Sequence, residues 1–146
     1  MGEAAGRTVW HTPPMMKILA VGAGGFLGAI ARWTLSNWVQ NQMGWSFPYG
    51  TLVVNVLGCL AIGAVATWIE TAAAWGPEVR LLLTVGILGS FTTFSTLGFE
   101  AFEFLRVGSH RAALAVIASN VILGLVAVWL GRAAVRGWVA WFAPSA

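Results

Sequence analysis

The chain has 146 residues, of which 58% are hydrophobic and 9% charged, whereas a soluble domain carries about 25% charged residues. This composition excludes a soluble globular domain and indicates an integral membrane protein. The net charge of +3 comes from eight basic and five acidic residues with Lys17 the only lysine, so there is no basic face for nucleic acid.

Other absences narrow the classes further. All five acidic residues are Glu. Cys59 is the single cysteine, which excludes an intrachain disulfide and reads as a small apolar packing residue. With His11 and His110 the only histidines, there is no metal-ligand cluster of the zinc type.

Residues 1–15 open on a polar stretch, Met1 to Pro14, that ends in His11-Thr12-Pro13-Pro14, whose prolines oppose an earlier helix start. They are expected to form a flexible tail. Met15-Met16-Lys17 reads as a fresh start, one at which the natural chain could begin.

The first apolar run opens at Ile18. A signal peptide with Lys17 as its charged region fits poorly, because four glycines within seven residues do not suit its apolar core. Gly22, Gly25 and Gly28 also have the spacing of a nucleotide-binding turn. The first acidic residue after them is Glu70, far beyond the roughly 20-residue offset of a ribose-binding carboxylate. The glycines read better as a close helix contact, with Gly24 and Gly28 in GxxxG register. Arg32 lies only about 22 Å along a helix from Lys17, too short to span, so this helix is expected to run to about Val39. Arg32 then sits at or inside the membrane boundary, where two readings fit it: snorkelling to the head groups, or a cation facing a water-filled vestibule.

Asn41 to Pro48 is a short uncharged loop flanked by Trp38, Trp45 and Phe47. Tyr49 to Ile69 is a second span without charge. Its costly member is Asn55, which with Thr51 four residues earlier forms a polar stripe. That stripe serves either helix-to-helix hydrogen bonding or a polar path. Glu70 to Arg80 is a turn marked by Gly76-Pro77.

The third span runs uncharged from Leu81 to Phe99 and is closed by Glu100 and Glu103. In its middle stand Gly89, Ser90, Thr92, Thr93, Ser95 and Thr96. These are poor helix formers whose hydroxyls compete for backbone groups. The stretch reads as a helix broken near its middle. Irregular backbone at membrane depth is tolerated only where protein buries it or water reaches it, so the break points to an ion or solute path. Close helix packing by small residues is the alternative. Arg106 to Arg111 is a short basic connection, and Ala112 to Gly131 is a fourth span with Ser119 and Asn120 as its polar pair. Arg132, Arg136, Trp138 and Trp141 anchor its end. Four spans would expose polar stripes to lipid, which calls for an oligomer. The basic residues divide five against three between the two sides, too even to fix one orientation.

Three stretches together resemble the Fluc family of small dual-topology fluoride channels. They are Gly25-Phe26-Leu27-Gly28-Ala29 with Arg32, Gly50-Thr51-Leu52-Val53-Val54-Asn55 with Gly58, and Gly89-Ser90-Phe91-Thr92-Thr93-Phe94-Ser95-Thr96 with Glu100. The resemblance covers about residues 16–132, with TTFST its most specific element. It implies an all-α membrane protein of four transmembrane helices in an antiparallel dual-topology homodimer with two pores. It also implies a multi-pass protein of the cell inner (plasma) membrane that exports fluoride passively, limits cytoplasmic toxicity and is not an enzyme. Carried over by position, Gly89 and Thr92 would give backbone carbonyls to a structural sodium ion at the dimer interface. Asn55 would be an anion-facing amide, Phe94 a ring-edge ligand, and Ser95, Thr96 and Ser119 a polar track, with Glu100 and Arg32 completing the pathway residues. Leu97 stands where the family usually has a second phenylalanine, on the same helical face as Phe94, and Gly98 where it often has serine. The implied channel domain is 16–136, with a C-terminal tail over 137–146.

A neutral donor set agrees with this reading. Fluoride is small and strongly hydrated, so a pore must replace its water with compact N–H and O–H donors and with positive ring edges. A full cation in the narrow part would bind it too tightly for release. A small multidrug-type transporter is the alternative of similar build, but it would carry a carboxylate in its first span, and none lies between Lys17 and Val39. A structural membrane subunit would need neither Asn55 nor TTFST.

Overall fold

In a computed structural model, residues 15–72 and 75–142 are described; the expected flexible tail, apart from Met15, lies outside them. The described chain is helical, with no strand. Four runs are long and apolar enough to cross a membrane: Met15–Met43, Tyr49–Thr71, Pro77–Arg106 and His110–Trp141.

Helix α1 is Met15–Met43, longer at both ends than its apolar core predicts. It stops at Gly44, whose φ of +84° is open to glycine at little cost. The turn into α2 (Tyr49–Ala72) is held by Gln40. Its Nε2 donates to the carbonyls of Gly44 and Phe47, and its Oε1 accepts from the Gly50 amide at 3.0 Å. Gly76 caps the next helix in extended conformation and Pro77 takes its first turn, where a missing N–H costs nothing.

The third span has two halves. Helix α3 starts as Pro77–Leu81, widens to a π-helix over Leu82–Leu88 and closes with Gly89–Phe91. Thr92 (φ −85°, ψ 157°) and Thr93 (φ −147°, ψ 115°) are extended, and α4 resumes over Phe94–Arg106. The interruption expected near the middle of this span therefore falls on the two threonines, with Gly89 and Ser90 still in the last helical turn before it. The π-helical segment was not legible in the residue pattern. Helix α4 ends at Gly108 (φ +75°) in a Schellman motif, with the Ser109 amide on the Phe104 carbonyl at 2.8 Å and the Gly108 amide on Leu105 at 3.0 Å. Helix α5, His110–Phe142, is continuous past residue 136, where a tail was expected.

Glycines set how closely these helices approach. Along α1, a Cβ on Gly24 would lie 2.9 Å from the Gly86 Cα, and one on Gly28 would meet the Ile87 carbonyl. The GxxxG face predicted from sequence is therefore the contact between α1 and the π-helical part of α3. Helices α2 and α5 pack similarly, with Gly63 against the Val128 carbonyl, Gly131 against Leu60 and Gly124 beside Cys59 Sγ. Arg132 closes the end of that pair on Glu70 at 2.8 Å. A small core of Leu97, Ala101 and Val116, flanked by Phe47 and Phe104, joins α4 to α5. Only 11–28% of the most apolar stretch of each span is buried, so most of the apolar surface faces outward to lipid or to another chain.

The glycine contacts generate a paired prediction. Gly28→Leu forces a side chain into backbone and should lower stability by about 1–3 kcal/mol or more. Gly22→Leu meets open space, with nothing within 4 Å, and should be tolerated. Thermal unfolding of the two purified variants in detergent checks the contrast.

Candidate functional site

The break is made by an exchange of hydrogen-bond partners. In a continuous helix the Thr93 amide would bond the Gly89 carbonyl four residues back. Instead it donates to Asn55 Oδ1 on α2 at 2.8 Å, while Asn55 Nδ2 donates back to the Thr93 carbonyl at 3.2 Å. The amide side chain thus pairs with both backbone groups of Thr93 and holds the residue extended. Thr93 then caps α4: its Oγ1 accepts from the Thr96 amide at 3.2 Å. That amide would otherwise have served the Thr92 carbonyl. Gly89 and Thr92, the two residues expected to offer carbonyls, are therefore among those whose regular helical amides are diverted.

Asn55 meets a second amide. Its Nδ2 donates to Asn120 Oδ1 at 2.8 Å, and Asn120 Nδ2 donates to the Val116 carbonyl at 2.9 Å. Asn120 is buried, and its neighbour Ser119, the residue expected to face the path, donates to the Val116 carbonyl at 3.2 Å. The hydroxyls of Thr93, Ser95 and Thr96 cluster at the start of α4, with Thr93 Oγ1 2.9 Å from Thr96 Oγ1 and 3.3 Å from Ser95 Oγ.

Two clefts flank this arrangement. The first, of about 370 Å³, is lined by Asn55, Gly89, Thr92, Thr93, Phe94, Leu97 and Asn120 among others. It brings together both expected carbonyl residues, the amide and the ring. Phe94 is 84% exposed and stands out from the subunit, whereas Leu97 is 7% exposed and belongs to the α4–α5 core. The two residues thus differ in what covers them, a difference the shared helical face did not reveal.

The second cleft, of about 430 Å³, is lined by Ser36, Asn37, Gln40, Thr51, Thr96 and Glu100, with aromatic rings around them. Thr51 Oγ1 donates to Glu100 Oε1 at 2.7 Å, and Glu100 Oε2 is buried with no hydrogen-bond partner among the described residues. The stripe of Thr51 and Asn55 on α2 therefore serves both halves of the third span, one residue holding α4 and the other the break. Ser95 is exposed and lines neither cleft. Arg32 is half-buried on α1, also outside both linings, and among the described residues it forms no ion pair.

Sequence reading did not assign Thr93, Asn120 or Gln40 a role. For Asn120 a signal existed: two amides placed in separate apolar spans each need partners, and each can be the other's.

Removing Asn55 strands several groups together. Asn55→Leu leaves the Thr93 amide and carbonyl and the Asn120 carbonyl oxygen without their partner, and should cost about 3 kcal/mol or more. Asn120→Leu leaves Asn55 paired with Thr93 and should cost about 1–2 kcal/mol. Unfolding of both variants in the same detergent should rank them in that order.

Comparison with known proteins agrees with the residue-level resemblance. The model of the family described as CrcB-like protein, Camphor Resistance (CrcB), matches residues 19–132. The chain is 42% identical over 117 residues to a Fluoride-specific ion channel FluC of Chloroflexus aurantiacus, covering 80% of this chain and 93% of that protein. It is 43% identical over 121 residues to the protein of that name from Roseiflexus sp., with 83% and 98% covered. Against the one from Dehalococcoides mccartyi it is 42% identical, with 80% and 90% covered. With the broken third span, the amide that holds it and a matched region containing all four spanning segments' cores, the chain belongs to the CrcB-like family.

Proposed function

We infer that this chain is a fluoride-selective ion channel that lets fluoride leave the cytoplasm passively and so limits its toxicity. The observation that carries the reading is the break at Thr92–Thr93, which sets neutral donors and an exposed ring beside diverted carbonyls inside an apolar span. The relatives named as fluoride-specific ion channels supply the anion.

The working form we propose is an antiparallel homodimer of dual topology. Support comes from the outward-facing apolar surface, from Phe94 standing clear of its own subunit, and from the even division of basic residues. A sodium ion at the dimer interface is part of the proposal. Gly89 and Thr92 fit it, because a hard cation takes neutral carbonyl oxygens and these two carbonyls have lost their usual amides to Asn55 and Thr93 Oγ1. Its contribution would be structural, fixing the two breaks against each other.

For fluoride, the proposed path uses the ring edge of Phe94, the Asn55 amide and the hydroxyls of Ser95 and Thr96, with Leu97 and Ser119 along its walls. Arg32 and Glu100 belong to its approaches. Each donor in the middle is neutral, so hydration is replaced without a full charge to trap the ion.

Purified protein in liposomes should release fluoride and retain chloride. Phe94→Leu, which removes the polarised ring edge at a position 84% exposed, should slow that release by about tenfold or more without unfolding the subunit. Equal efflux from this variant and the parent would remove the ring from the path. Reporter fusions at the C-terminus should be active on both sides of the membrane, and a single fixed orientation would rule out the dual-topology dimer.

A further inference from the structure

The two asparagines at the break order each other, and the order has a direction. Asn120 Nδ2 stands 2.9 Å from the Val116 carbonyl, which only accepts, so this end of the amide must be the donor. Its oxygen then faces Asn55 at 2.8 Å and requires a donor there, which makes the facing atom Asn55 Nδ2. Asn55 Oδ1 is left for the Thr93 amide, which only donates, at 2.8 Å. Turning either amide over would oppose two donors or two acceptors at one end of the relay. Backbone groups of α5 and of the break thus fix both side chains.

Both hydrogens of Asn55 Nδ2 are committed by this relay. One goes to Asn120 at 2.8 Å and the other to the Thr93 carbonyl at 3.2 Å. The longer bond is the weaker, and Asn55 and Thr93 both line the first cleft. An anion there can compete for that hydrogen while the shorter bond holds the amide in place.

We propose that Asn120 is a positioning residue for anion passage: its side-chain oxygen orients Asn55 so that a single exchangeable N–H, the one shared with the Thr93 carbonyl, faces an anion in the cleft. The proposal rests on the fluoride-channel reading. Without the Asn120 oxygen, Asn55 is held by Thr93 alone, and once an anion takes the shared N–H only the Thr93 amide is left to fix a side-chain torsion that is broad and roughly twofold. The anion must then order the amide as it binds, and affinity falls.

The chain itself suggests the test. Thr67, Thr71, Thr84 and Thr92 each donate their hydroxyl to the carbonyl four residues earlier, at 2.9, 2.9, 2.7 and 3.2 Å. A threonine at position 120 would do the same to Val116 and keep lone pairs toward Asn55, whereas valine has the same shape without the hydroxyl. Fluoride efflux from liposomes is measured against fluoride concentration for the parent, Asn120→Thr and Asn120→Val. Asn120→Val is expected to raise the half-saturating concentration about fivefold, the effect of one ordinary hydrogen bond, and Asn120→Thr to remain within about twofold of the parent. Equal half-saturation for the two variants would overturn the proposal and leave position 120 a packing site. If Asn120→Val fails to fold, Asn120→Ser against Asn120→Ala makes the same comparison by the same criterion. An absence of efflux from the parent would overturn the channel reading itself, and the positioning role with it.

Discussion

The Thr93 backbone, taken over by the Asn55 side chain, is the interaction on which the rest of this structure depends. Inside a bilayer every backbone N–H and carbonyl needs a partner within the protein, and an unbroken helix is the simplest way to supply them. A span can be interrupted only if something else meets the groups set free. Asn55 does so with one planar amide, accepting from the Thr93 N–H and donating to its carbonyl. The cost of placing an amide in an apolar span and the cost of breaking a helix offset each other, and neither feature is stable there without the other.

The glycine contacts serve the same arrangement from a distance. Gly24 and Gly28 bring α1 against the π-helical turn of α3, which fixes where α3 ends. Gly58 does the equivalent on α2, where a Cβ would collide with the Thr92 side chain. Asn55 lies three residues before Gly58, so one close approach of α2 to the break sets both the clearance and the hydrogen bond. At the other end of α2, Gln40 holds the turn that places Thr51, and Thr51 reaches Glu100 on α4. Both halves of the third span are thereby registered on one helix.

Much of this was legible in the residues. Four apolar runs, the helix contact through Gly24 and Gly28, a turn at Gly76-Pro77 and an interruption among the central hydroxyls all follow from length, glycine spacing and helix propensity, although the turn is shorter than the expected Glu70 to Arg80 because α2 runs to Ala72 and α3 starts at Pro77. What remained hidden depends on neighbours distant in sequence. Asn120 looked like half of a polar pair with Ser119, and only the placement of α5 against α2 shows that it meets Asn55. Leu97 looked like the companion of Phe94 on one face, but α5 covers one of them and leaves the other exposed. The π-helix over Leu82–Leu88 has no period of its own in the sequence; it lies where α3 passes the glycines of α1.

The break also sorts charge. Helix α3 ends there with its carbonyls leading, a partially negative terminus, and α4 begins there with its amides leading, a partially positive one. Two termini of opposite sign thus meet at the same depth with two extended residues between them. The carbonyls of Gly89 and Thr92 suit a cation, while the hydroxyls and ring at the start of α4 suit an anion. Neither terminus carries a full charge, and the nearest side-chain charge along the third span is Glu100, engaged with Thr51 in the other cleft. On the proposed path, an anion at the start of α4 would meet attraction spread over weak dipoles, each strong enough to replace a water and too weak to hold the ion. One interruption of one helix would serve both proposed sites, because a helix cannot be cut without exposing both of its ends.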